Sequence, residues 1–240
     1  MKKENIIKYS ALAFGVLAIG IISKPISQAR ATTINISAPF SKKMAQDAKE
    51  ILNNVHAQYN KSPYLKINFS LAYKGSNANA FSNEEKGDIW VAPKANQYKI
   101  LMENNEYISD GKSQWAILKD IEEIQITEIV NSSAGQIAPS NLFSFFQNGF
   151  RSKIAKSETV QNKNVWNIEL SPEKTNLPYN KVILRVVKNT NEIHDITIFD
   201  KNNGQMKYTL NQVDKLSSLN SDLFKFDKNQ YKNMEIVDLR

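Results

Sequence analysis

The 240-residue chain contains no cysteine. That excludes a disulfide framework, a thiol nucleophile and a cysteine-based zinc knuckle. It also excludes the acylated cysteine by which bacterial lipoproteins are anchored. Histidine is nearly as scarce, with only His56 and His194. One lies in a helix-like stretch and the other in a strand-like one, and neither has a metal or triad motif around it, so both read as structural. Glycine-based catalytic signatures are missing too. Gly111-Lys112-Ser113 ends like a phosphate-binding loop, but Glu106 stands where the first glycine belongs and a strand follows. No Gly-x-Ser-x-Gly elbow occurs. The carboxylate pairs Glu84-Glu85 and Glu122-Glu123 fall at turns, where solvated charge is the ordinary explanation. A periplasmic glycan hydrolase stays open as an alternative, because sequence alone does not exclude such carboxylates. No catalytic residue, metal ligand or cofactor is assigned, and the chain reads as a binding protein and not an enzyme.

The formal net charge of +7 suggests nucleic acid or membrane until it is located. Residues 1–31 hold Lys2, Lys3, Lys8, Lys24 and Arg30 against Glu4, so the remainder carries 26 basic and 23 acidic groups, a net of +3. Nucleic-acid binding lacks its basic footprint. The same segment has the three parts of a secretory signal: a basic start, the apolar run Ala11 to Ile22, and Ala29-Arg30-Ala31 as a small-x-small site. As a retained helix the run would span about 18 Å, short of a ~30 Å hydrocarbon core. Cleavage near Ala31 is expected, with residues 32–240 as a single domain in the periplasm.

Apolar spacing then divides the chain. Met44, Ala48, Ile51, Leu52, Val55 and Tyr59 follow a helical period after Ser41, a candidate cap, and Asn60 and Pro63 end the helix. From Tyr64 the period is two, through Leu65, Ile67, Phe69, Leu71 and Tyr73. Strands are expected at 85–92, 97–103, 106–109, 113–119 and 123–130, then at 151–158, 164–170, 181–188, 192–199 and 205–214. Asn104-Asn105, Asp110-Gly111 and Asn202-Asn203-Gly204 serve as turns. Such a series, without β-α-β alternation or repeats, is too long for a flat sheet and should curl. Between the two sets, Pro139 and Gly149 bracket a short helix holding Leu142, Phe143, Phe145 and Phe146. Two turns cannot bury four large apolar groups internally, so they press on a sheet or over a cavity mouth. Trp90, Tyr98, Ile100, Met102 and Trp115, on neighbouring strands, are the other candidate apolar wall residues; plain core is the competing explanation for all of them.

Gly87-Asp88-Ile89-Trp90-Val91, the turn at Pro93, Tyr98 to Met102, and Ile108-Ser109-Asp110-Gly111-Lys112-Ser113-Gln114-Trp115 together resemble the central signature of the periplasmic outer-membrane lipoprotein carriers, the LolA family. The order of elements over 41–230, down to Leu223-Phe224-Lys225-Phe226, is similar as well. The resemblance implies a mainly β (α+β) fold: an unclosed antiparallel barrel of about eleven strands with a lid of short helices over an apolar cavity. It implies a monomeric carrier that takes acylated lipoproteins from an inner-membrane ABC-type releasing complex to an outer-membrane acceptor. A sensor of mislocalised lipoproteins, or a carrier of free lipids, on the same half-barrel is the alternative. Two departures stand out: Ala92 occupies the place of the basic pair that precedes the turn proline, so the family's arginine latch to the lid is absent, and Asp227-Lys228-Asn229-Gln230 replaces a Pro-Pro-x-Gly element. An exposed acyl chain of roughly fifteen carbons costs about 10 kcal/mol in water, so a soluble carrier must keep it covered.

Overall fold

A computed structural model describes residues 38–129 and 134–240. The expected export signal, residues 1–31, and the lead-in after it lie outside the described residues. The first element, α1, runs Ala38–Tyr59. It begins before Ser41, with Pro39 in its first turn, where the missing N–H has no intrahelical partner to lose. Ala48, Leu52, Val55 and Tyr59 are buried on one face, with Ile51 packed beside them, as the helical period requires.

The rest is one twelve-stranded sheet. Its strands are β1 (Tyr64–Lys74), β2 (Glu85–Ala92), β3 (Gln97–Met102), β4 (Asn105–Asp110), β5 (Ser113–Leu118) and β6 (Glu123–Glu128), then β7 (Phe150–Val160), β8 (Lys163–Pro172), β9 (Tyr179–Val187), β10 (Ile193–Asp200), β11 (Gln205–Leu216) and β12 (Glu235–Asp238). The spatial order is β12-β6-β5-β4-β3-β2-β1-β11-β10-β9-β8-β7. The eleven expected strands are all present within a few residues of their expected ends. The twelfth is an addition, and it alone runs parallel to its neighbour, β6. β12 and β7 are the two open edges, so the barrel is unclosed.

This order has a consequence for function. The chain steps from β1 outward to β6, and must then cross to β7 at the far edge before stepping back to β11 beside β1. Of this crossing segment between Glu128 and Phe150, the described residues from 134 on lie over the concave face, with Ile137, Leu142, Phe143, Phe145 and Phe146 packed on it. That face holds the main core: Leu65, Ile67, Phe69 and Leu71 from β1, Ile89 and Val91 from β2, and Ile168, Leu170, Val182, Leu184, Val186 and Ile196 from the second half, closed by α1. α1 packs along β7. A second cluster, Ile108, Ile117 and Ile124, lies on the convex face, roofed by Trp115, Phe226, Tyr231, Met234 and Ile236.

Candidate functional site

Strand register decides which side chains reach the concave face. Tyr98 on β3 pairs with Ser109 on β4, which pairs with Gln114 on β5, so the three form one transverse row. Ile100 pairs with Tyr107, and Tyr107 with Ala116, in the next row. Tyr98, Ile100 and Met102 are all buried in the concave core, as their shared period requires. Trp90 and Trp115 are not with them. Trp90 pairs with Lys99, Lys99 with Ile108, and Ile108 with Trp115, which is the intervening row on the convex face. There the Lys66 ammonium sits 5.4 Å from the Trp90 ring centre, and Trp115 stacks on Phe226 at 5.3 Å. Both tryptophans therefore leave the set of wall residues.

The expected helix over 139–149 is instead two 3-10 turns, Pro139–Asn141 and Phe145–Gln147. Ser144, with φ −142, breaks the run between them. The break lets side chains that a continuous helix would spread around its axis turn to one side. Phe143, Phe145 and Phe146 are buried in the concave core, and Leu142 packs against it. Phe143 stacks on Tyr59 of α1 at 3.9 Å, and Phe145 meets the edges of Phe146 and Phe150. At the base of this cover, a Cβ on Gly149 (φ +81) would stand 2.6 Å from the Gly135 nitrogen, so the two ends of the segment touch. Only glycine takes that conformation without strain.

Side chains, not a strand ladder, tie the cover down. Ser140 Oγ donates to Asn96 Oδ1, the Tyr179 hydroxyl donates to the Gly135 carbonyl, and His56 Nδ1 donates to the Phe143 carbonyl at 3.3 Å. Asn141 closes the first turn internally, accepting from Ala138 N at 2.8 Å and donating to the Gln136 carbonyl at 2.9 Å. Asn96 ends the turn at Pro93–Ala95 in the left-handed region, φ 56. Its carbonyl accepts from Ser109 Oγ at 3.1 Å, and Ser109 Oγ accepts from Gly111 N at 3.0 Å. A neutral Ser140–Asn96 bond thus ties the cover to the turn at Pro93–Ala95.

Beneath the cover lies an apolar pocket of about 20 Å³, bounded by Phe69, Ile89, Pro139, Leu142, Ile196 and Tyr208 among others. That is room for about one water, far below the roughly 300–1,000 Å³ of a pocket for an organic ligand. Leu142 lines this pocket, and Phe143, Phe145 and Phe146 fill the concave core beside it. Burial pushes the Tyr98 hydroxyl, with Tyr107 nearby, and the Tyr208 hydroxyl above the ordinary phenol range, so both are neutral donors at physiological pH.

Elsewhere, His194 Nδ1 lies 2.6 Å from Asp195, which pairs with Arg185 at 3.2 Å, in a polar network with Glu158 and Asn167. Among the described residues no group of three or more His, Cys, Asp or Glu is placed to hold a metal ion. Sequence reasoning missed Asn96, Ser140 and Gln114. Counting register through the two-residue turns after Met102 and Asp110 would have put Gln114 on the Tyr98 face.

Comparison with known proteins gives the following. The family model described as outer membrane lipoprotein carrier protein LolA matches residues 73–227. No curated protein matches the chain in sequence. Among solved structures, an uncharacterized conserved protein from Thermus thermophilus is similar with a TM-score of 0.51 at 12% identity, covering 80% of this chain and 99% of that one. Lipoprotein LppX from Mycobacterium tuberculosis gives 0.47 at 9% identity, over 73% of this chain and 99% of that one. A LolA superfamily protein from Nitrosomonas europaea gives 0.41 at 11% identity, over 75% and 97%. The first of these likenesses speaks for the fold alone.

Proposed function

We propose, because this chain belongs to the outer membrane lipoprotein carrier (LolA) family, that it is a periplasmic carrier that covers the acyl chains of lipoproteins between the inner and outer membranes. The observation that carries this reading is the concave apolar face roofed by a crossover that forms no strand over it and is tied across it by side-chain hydrogen bonds from Asn96, His56 and Tyr179. Opening it would expose three phenylalanines, roughly 5–9 kcal/mol at about 1.5–3 kcal/mol each. One acyl chain of about fifteen carbons, worth about 10 kcal/mol or more on burial, offsets that cost. The exchange is near balance, which suits a carrier that must both load and unload. Free release into water is disfavoured, so cargo passes by contact: from an inner-membrane ABC-type releasing complex, and on to an outer-membrane acceptor. Lid and wall residues in this reading are Tyr98, Ile100, Met102, Leu142, Phe143, Phe145 and Phe146.

The test is to express the full chain in a diderm bacterium, collect the periplasmic protein and identify what co-purifies by native mass spectrometry. Acylated lipoprotein at one per carrier is expected. A preparation that is empty, and that also fails to take up a triacylated peptide added in detergent below its micellar concentration, would sink the reading.

A further inference from the structure

Gln114 is 3% exposed, yet its Nε2 has no hydrogen-bond partner in the protein. Its other end is fixed, since Oε1 accepts from the Tyr98 hydroxyl. The neighbours that could satisfy the amide are otherwise engaged or idle towards it. Ser109 Oγ gives its proton to the Asn96 carbonyl and receives one from Gly111 N. Thr127, opposite Gln114 on β6, makes no bond to it. An unpaired buried amide donor is costly, so its retention calls for an explanation, and a water or ligand from outside the chain is one that would satisfy it.

Its position bears on which of the two it is. Gln114, Ser109 and Tyr98 form a row across the concave face that starts beside Asn96, the residue that holds Ser140 of the lid. The lid turn Pro139–Asn141 packs on β2, β3 and the turn at Pro93–Ala95. The ring of Tyr98 and the side chains of Ile100 and Val91 make the surroundings apolar. The amide thus offers two N–H donors and no charge on the apolar concave face, in the row that begins beside the residue tying down the cover. We infer that Gln114 Nε2 is the hydrogen-bond donor to a carbonyl oxygen at the head of a bound acyl chain, an ester or amide linkage. The inference rests on the acyl-carrier reading above and adds a point of polar recognition to it. A carbonyl is an acceptor without a proton of its own, sits at the junction of chain and head group, and carries no charge to desolvate. Lifting the lid turn away from Asn96 opens the rim at which this row begins.

The experiment compares ester with ether. The full-length protein is titrated with a dipalmitoylated S-glyceryl-cysteine tetrapeptide and with the same peptide carrying two hexadecyl ether chains, which lack the chain carbonyls. The ester form is expected to bind about three- to tenfold tighter, the range of one hydrogen bond. Gln114→Leu is expected to lose that preference; Gln114→Met serves the same purpose should the leucine variant fail to fold. Dipalmitoyl phosphatidylglycerol and its diether analogue form a second pair: a preference confined to that pair places the carbonyl on a phospholipid and not on a lipoprotein. Equal binding of ester and ether forms by the unaltered protein, or a preference that survives both substitutions, overturns the inference and leaves the carrier reading intact. Binding of none of the four ligands overturns the carrier reading itself, and the inference with it.

Discussion

The two faces of this sheet are both covered, and by covers of different build. The convex face over β4, β5 and β6 is roofed by the C-terminal segment, which joins the sheet as a strand: β12 pairs with β6 from Glu235 to Asp238. Its aromatic groups lock in a line, Trp115 on Phe226 at 5.3 Å and Phe226 on Tyr231 at 5.6 Å. Arg240 clasps Asp238 and reaches Ser113 at 3.4 Å. The concave face is roofed by the crossover between β6 and β7, which contributes no strand there and whose two ends touch at Gly135 and Gly149. A backbone ladder opens only by local unfolding, whereas side-chain contacts can be exchanged for other apolar contacts at little net cost. In the proposed carrier reading, the first roof stays and the second is the one that cargo replaces.

The contrast can be broken by substitution, and the largest effect should come from the concave wall. Tyr98→Glu puts a charge where acyl chains would lie, and uptake of an acylated peptide is expected to fall about a hundredfold or more. Circular dichroism must show that the sheet survives, because Tyr98 is also core. Trp115→Ala on the convex side should do the reverse: stability falls by about 2–4 kcal/mol in urea titration, while uptake holds. Loss of uptake with intact stability in that variant would break the division of faces.

Alkaline pH sharpens the comparison. Burial, helped by nearby Glu192, pushes the Tyr59 hydroxyl up to about 12. Below pH about 10 it is neutral in both folded and unfolded chains and its contribution is constant. Between about 10 and 12 the unfolded chain ionises first, so stability falls as pH rises through that window. A melting temperature that declines above pH about 10, less steeply in Tyr59→Phe, is expected. Smallest is Ser140→Ala, which removes the bond to Asn96: about 0.5–1.5 kcal/mol of lid closure, read as faster exchange over the lid with the global melting temperature nearly unchanged.

Strands such as β3 and β9 were legible because one face is wetter than the other, which leaves a period of two; β4, β5 and β10 are buried on both faces and were legible from the turns and apolar runs that bound them. β12 was not, since Glu-Ile-Val-Asp is too short to show a period and its pairing with β6 joins segments far apart in the chain. The aromatic content of the lid was plain in Leu142 to Phe146, but not the break at Ser144, which follows from what the side chains must touch. Trp90 and Trp115 joined the wall candidates because they lie on neighbouring strands, with the face of each left open; the alternation that groups Tyr98 with Ile100 and Met102 puts both tryptophans on the other face once the turns are counted. The Asn96–Ser140 bond joins residues 44 apart, and no local signal announces it.

Hydrogen exchange by mass spectrometry, with and without a triacylated peptide, tests the removable roof most directly. Amides of 135–149 should exchange faster than those of β9 and β10 and faster than those of β12 in the empty protein. Cargo should alter the lid pattern while leaving β12 unchanged. Equal protection of the lid and of β9 and β10, unaltered by cargo, would contradict a movable cover and make the concave face a packed core.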